Sequence, residues 1–346
     1  MSNLQIGLAI AGGVVLAGVV AHGAWTSRRN APRQPLPEVR TGASHADGRE
    51  PELVDSEFDA NRFPLPPVAR RPVMDSLIDV IATIALDGPG AVVSGEAALA
   101  AMPATRRAGS KPFAIEGYNL HQLVWESPVA GQRYGGFQAG VQLANRTGAL
   151  NEIEYSEFVV KTQAFADAIN ATPEFPEMRD EVARARELDQ FASAHDAQLG
   201  FTIRARNASW SPGYVQQNAA HLGFVAGVIP GRMVLPAVTE GLPPVLVLGF
   251  DSQAALSEDP AQSAIRDMTL HLDVPQVDRA EHAFERMRKV AMTLAETMDG
   301  VVTDDNGQLL TEQTMDVIGV ELLTLHDTLE QRDLAAGSPL ARRLFS

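Results

Sequence analysis

The chain contains no cysteine. That removes disulfides, thiolate metal ligands and cysteine nucleophiles together. Positive charge is also scarce: 28 Lys and Arg face 43 Asp and Glu, leaving a formal charge of -15. Such a protein is repelled by nucleic-acid phosphate, and no basic aromatic stretch offsets the repulsion. Catalytic signatures are missing as well. The eight histidines include no pair at i, i+4 with an acid between, so no helical zinc site is expected. No phosphate-cradling glycine loop and no nucleophile elbow occurs. Asp304-Asp305-Asn306-Gly307 lacks the alternating ligand spacing and distant Glu of a calcium loop, and reads as a hairpin turn. Acid pairs such as Asp180 and Glu181 fall on predicted helix surfaces. The pattern argues against an enzyme, a small-molecule substrate, a cofactor or a bound metal.

What is present begins at the N-terminus. From Leu4 to Trp25 the chain has no Asp, Glu, Lys or Arg. As a helix this run rises roughly 33 Å, enough to cross a hydrocarbon core about 30 Å thick. Its glycines are common in membrane helices, and Trp25 stands where an interfacial aromatic belongs. No basic residue precedes the run, whereas Arg28, Arg29, Arg33 and Arg40 follow it. The positive-inside rule then puts the N-terminus outside and the remainder in the cytoplasm. A cleaved signal peptide is the competing reading; it lacks support from a basic leading region, and the apolar run exceeds a typical signal core.

Residues 28–73 are rich in proline and poor in large aliphatic side chains. They cannot bury enough apolar surface to offset ordering and are expected to form a disordered linker, reaching about 40 Å. Beyond it, apolar periodicity predicts two stretches of similar order, 74–195 and 196–332, followed by a tail at 333–346. In the first, strands at 76–86, 111–119 and 134–145 accompany helices at 94–102, 151–170 and 178–194. The second has strands at 199–206, 224–235, 244–251 and 268–274, and helices at 211–222 and 279–298, the latter closed by Gly300. A hairpin and a last helix through Met315 and Leu329 complete it. The fold class is therefore α+β, antiparallel sheets with helices on one face. Two tandem duplicate modules and a chance similarity both remain open.

The last sheet carries the informative feature. In the strand around Leu270 and Leu272, the alternation turns His271 and Asp273 away from the helices. In the strand from Pro244 to Asp251 both alternating sets are apolar, so one set is left uncovered whichever packs inward. With Val247 and Gly249 inward, Leu246, Leu248 and Phe250 point out. Such a bare apolar patch signals a partner, unless the preceding module covers it.

The segment from His22 to Arg28 resembles the membrane-exit segment of the ZipA cell-division family. So does Met268 to Val320, with LHLDVPQVDRAEHAF and then MDGVVTDDNGQLLT. The resemblance covers about residues 1–30 and 197–332. It implies a single-pass inner-membrane protein at the division septum, with a cytoplasmic split β-α-β domain. In that family a shallow apolar sheet surface binds the C-terminal peptide of FtsZ. Carried over by strand position, the contact candidates are Thr202, Arg204, Ile229, Leu246, Leu248, Phe250 and His271. His271 stands where the family shows a large apolar side chain, and residues 74–195 have no counterpart there. The partners implied are FtsZ and phospholipid. A membrane-anchored scaffold for another cytoplasmic protein is the alternative.

Overall fold

The computed structural model describes residues 33–34, 74–256 and 263–346. The expected membrane helix from Leu4 to Trp25 lies outside the described residues, as does nearly all of the expected linker. Among the described residues no helix is long and apolar enough to cross a membrane. The chain divides into two compact units: a first of residues 69–197, 274–280 and 320–346, and a second of residues 1–68, 198–273 and 281–319.

The first unit holds strands β1 (Asp79–Leu86), β2 (Val93–Ser94), β3 (Arg107–Ala108), β4 (Lys111–Asn119), β5 (Val124–Glu126), β6 (Arg133–Gln142), β7 (Ala144–Asn145), β8 (Gly148–Ala149) and β9 (Ala171–Glu174). Its helices are α1 (Gly95–Ala101), α2 (Glu152–Ala168) and α3 (Met178–His195). The main sheet runs β3-β4-β6-β1-β9, with every pairing antiparallel. Asn151 starts α2 with a complete capping box, its side chain accepting from the Glu154 amide while Glu154 reaches back. The inward row of the sheet meets α2 through aromatic edges: Phe113 lies 6.0 Å from Phe158, and Phe137 lies 5.2 Å from Phe165. Lys111 is buried, and burial pushes its ammonium below the ordinary lysine value. Its Nζ donates to Asn145 Oδ1 at 2.8 Å, to Thr147 Oγ1 at 3.2 Å and to the Gly148 carbonyl, so all three protons are used.

The second unit holds β10 (Gln198–Ala205), α4 (Pro212–His221), β11 (Val225–Ala226), β12 (Arg232–Leu235), β13 (Leu246–Gly249), α5 (Ser252–Leu256), β14 (Asp267–Asp273), α6 (Ala283–Met298) and β15 (Gly300–Thr303). These strands form a six-stranded sheet in the order β11-β12-β13-β14-β10-β15. Because β14 and β15 both pair antiparallel with β10, they run parallel to each other on either side of it. This is the β-α-β unit, with α6 as crossover, split by an inserted strand. Helix α6 covers the sheet through Phe284, Met287, Ala291, Leu294 and Met298, as its 3.6-residue apolar stripe predicts. The left-handed residue closing α6 is Asp299 (φ 57°), one position before the expected Gly300. Gly300 instead opens β15, where a Cβ would meet the Arg204 carbonyl at 3.1 Å and the Trp210 ring at 3.3 Å. The Asp304–Gly307 turn is a hairpin as expected, with the Asp304 amide donating to the Gln308 carbonyl at 2.9 Å.

Helix α7 (Glu312–Glu330) follows, and α8 (Pro339–Leu344) ends the chain. Residues 333–346, expected as a tail, are part of the first unit's core: Leu334, Ala336, Ala341, Leu344 and Phe345 are buried there. The segment is too short for a helical period to show, although Ser338 and Pro339 mark its start. Residues 274–280 join the same unit, with Gln276 Nε2 donating to the Phe345 carbonyl at 2.7 Å. An ion pair fixes α8: Arg343 Nη1 donates to Asp79 Oδ2 at 2.9 Å, and Asp79 is 2% exposed. Removing one partner strands a buried charge at a cost of about 3–5 kcal/mol. Arg343→Met is therefore expected to lower the stability of the first unit by about that amount, read as a fall in the urea midpoint. An unchanged midpoint would show the pair to be dispensable.

Burial of Glu181 raises its carboxyl above the ordinary value of 4.5, the nearby Arg184 opposing. A folded-state pKa raised in this way gives stability that is present at acid pH and is lost as pH rises through it. Glu181→Gln should thus stabilise the protein at pH 7, with the gain vanishing toward acid pH in paired melts. A gain that persisted at acid pH would contradict this.

Candidate functional site: the uncovered face of the second sheet

Register decides which side chains this sheet buries. Leu248 pairs with Leu270, which pairs with Phe201, and Met233 pairs with Leu248. All four are buried on the face that carries α6. Side chains alternate, so the neighbouring cross-strand row points the other way. That row reads Val225, Val234, Val247, His271 and Gly200 across five strands. Beside it runs Arg232, Gly249, Thr269, Thr202 and Thr303.

The first row is a shallow apolar strip ending in an imidazole. Val225 is 51% exposed, Val234 and Val247 are half-buried and His271 is exposed. At the β10 end the hairpin after β15 approaches: a Cβ on Gly200 would lie 3.0 Å from the Asp305 carboxylate. Thr303 donates from Oγ1 to the Thr202 carbonyl at 3.4 Å, and both threonines are buried. Toward β11 the row is open to solvent, whereas at the β10–β15 end it is covered.

The seven candidate residues divide. Thr202, Arg204 and His271 share the face opposite α6, Thr202 buried there and the other two exposed, with Arg204 opposite Asp267 in register. Ile229 stands 53% exposed in the turn between β11 and β12. Phe250 is half-buried just beyond β13, its amide donating to the Gly231 carbonyl at 2.8 Å. Leu246 and Leu248 are both 0% exposed and lie in the core. The strand has the opposite parity to the one expected, so Val247 and Gly249 take the outward places. Val225, Val234, Val247 and Thr269 were the residues that sequence reasoning passed over. Their signal was the alternation in β14, which fixes β13 once Leu248 is paired with Leu270.

Chemically the face offers dispersion contact and a few hydroxyl and imidazole groups. Among the described residues no cluster of His, Asp or Glu has the arrangement of a metal site. Such a face is suited to docking an apolar segment of another chain.

No curated protein matches the chain. Among solved structures, the berberine bridge enzyme from Eschscholzia californica is similar at a TM-score of 0.17 and 10% identity. The alignment covers 78% of this chain and 53% of that one, so the chain spans about half of its length. A likeness this slight carries no argument about fold or activity. Residues 256–319, which hold β14, α6, β15 and the start of α7, match the family described as ZipA, C-terminal FtsZ-binding domain. That segment, with its split β-α-β crossover, is what the chain shares with the ZipA C-terminal domain.

Proposed function

We propose that this chain is a non-enzymatic membrane adaptor of the bacterial division ring, binding the C-terminal tail of FtsZ and tethering its filaments to the cytoplasmic membrane. The observation that carries the reading is the bare Val225–Val234–Val247 strip, lying in a unit whose β14–β15 segment matches an FtsZ-binding family. The FtsZ tail docks as a short amphipathic helix, laying its apolar side chains along the strip. His271 and Thr269 flank it, and Ile229 and Phe250 extend the apolar rim. At about 25 cal/mol per Å², covering a few half-exposed valines contributes only a few kcal/mol before ordering costs are subtracted, so a single contact is weak. Weak single contacts suffice, because membrane-bound adaptors meet a polymer and the contact is multivalent.

The anchor in this reading is the uncharged run from Leu4 to Trp25, with the arginines after it setting a cytoplasmic C-terminus. A scaffold for another cytoplasmic protein is the second reading. The exposed Leu123, Val124 and Trp125 of the first unit favour it.

In a titration of the full chain with labelled FtsZ-tail peptide, Val247→Asp should weaken binding by more than about tenfold. Circular dichroism should stay unchanged, because Val247 points away from the core. Lys289→Asp, on an exposed position of α6, should bind as the parent does. Equal affinity of the Val247→Asp variant and the parent would remove the strip from the site. For topology, alkaline phosphatase fused after Ser346 should be inactive in intact cells, and activity there would reverse the orientation.

A further inference from the structure

At the C-terminal end of α6 in the second unit, Arg33 from the N-terminal stretch is held beside Trp210. Trp210 is fully buried, and its indole Nε1 donates to the Met298 carbonyl at 2.8 Å. Its backbone exchanges two hydrogen bonds of 2.8 Å with Ile265, forming a short antiparallel bridge. Arg33 adds a parallel bridge on the other side: its amide donates to the Ser209 carbonyl at 2.8 Å, and its carbonyl accepts from Ser211 at 3.0 Å. This is strand addition in miniature, in which main-chain bonds supply attachment and a side chain supplies selectivity.

The selective group is the guanidinium. Arg33 Nη1 donates to the Met298 carbonyl at 3.1 Å, and Nη2 to Asp299 Oδ2 at 2.9 Å. Asp299 is presented for this by its left-handed backbone, its carbonyl accepting from the Arg206 amide at 3.0 Å. Its carboxylate also accepts from Asn207 at 3.1 Å. A free helix C-terminus favours a cation, so Arg33 answers both the carboxylate and the end of α6. In sequence, Pro35 biases Gln34 toward the extended backbone that such a bridge requires.

We propose that Arg33 is a releasable clamp that docks the tether onto the second unit and shortens the leash between bilayer and FtsZ-binding face. The consequence for reach rests on the membrane-adaptor reading above; the docking itself does not. Docked, the path from Trp25 to the fold is eight residues (25 to 33) and spans at most about 28 Å. Released, the reach returns to about 40 Å, that of the whole linker. The clamp is releasable because its ion pair is one-third exposed, where water and salt screen it. Docking leaves the valine strip free, since the partners of Arg33 (Ser209, Ser211, Met298 and Asp299) include none of its residues.

The parent has no cysteine, so spin labels can be placed on the full-length protein at Gln34→Cys and Lys289→Cys. The clamp predicts one narrow distance distribution at low salt, broadened several-fold by Arg33→Ala and by high salt. Asp299→Asn, which keeps a residue suited to the left-handed backbone, should broaden it likewise, and Arg33→Lys less. A broad distribution in the parent, or a narrow one that survives Arg33→Ala, would overturn the clamp. In liposomes carrying acceptor lipid, energy transfer from a donor at Lys289→Cys should fall in Arg33→Ala; unchanged transfer would overturn the shortened leash. Titrating the same samples with FtsZ-tail peptide separates the two readings. Equal affinity in parent and Arg33→Ala supports a clamp remote from the strip, and reduced affinity in Arg33→Ala would overturn that separation. A parent with locked labels that ignores the peptide supports the clamp and removes the strip.

Discussion

The pairing of Leu248 with Leu270 is the constraint on which the second unit depends. Because side chains alternate across a strand, that one register assigns every residue of β13 to a face. It sends Leu246 and Leu248 under α6 with Met233, Phe201 and Leu272. The same choice strands Val234 and Val247 beside His271 on the other face. A slip by one residue would bury valine and glycine in place of two leucines and leave the helix layer poorly filled. Core packing therefore selects the composition of the opposite surface, and the exposed valine row is a by-product of satisfying the core.

Much of the architecture was legible because strong local signals agree with the tertiary packing. The stripe from Phe284 to Met298 predicts α6 and its buried face, Asn151 predicts the start of α2, and the Asp-Asn-Gly turn predicts the hairpin after β15. The α+β class followed from these, and the likeness to the ZipA C-terminal domain from the segment between Met268 and Val320. What was illegible had a physical cause each time. A strand reading Leu-Val-Leu offers two apolar faces, and nothing local breaks the tie; only the partner strand does. The C-terminal segment contributes Leu344 and Phe345 to a core formed more than a hundred residues earlier, a non-local contact that no periodicity reports. Of the candidate contact residues, those read from the clean alternation of β14 and β10 lie on the uncovered face. Those read from β13 required the register.

Arg33 illustrates a different limit. In the sequence it is one of four arginines from which the orientation of the expected membrane segment is read, and that reading needs only its charge. In the fold its backbone and guanidinium also meet Ser209, Ser211, Met298 and Asp299. The charge reading and the contacts are thus separate, and only the contacts depend on geometry. The acidic end of α6 is the complementary part: Asp299 takes a left-handed backbone that an aspartate tolerates, and there meets a cation.

The central claim is that the valine strip, and not the leucines beneath it, receives the FtsZ tail. Methyl-resolved NMR of the full-length protein, titrated with unlabelled FtsZ-tail peptide, tests it directly. The account predicts that the methyl signals of Val225, Val234 and Val247 shift first and furthest, while Leu246 and Leu248 move little. Shifts confined to the first unit, or no saturable shift at the three valines, would contradict it.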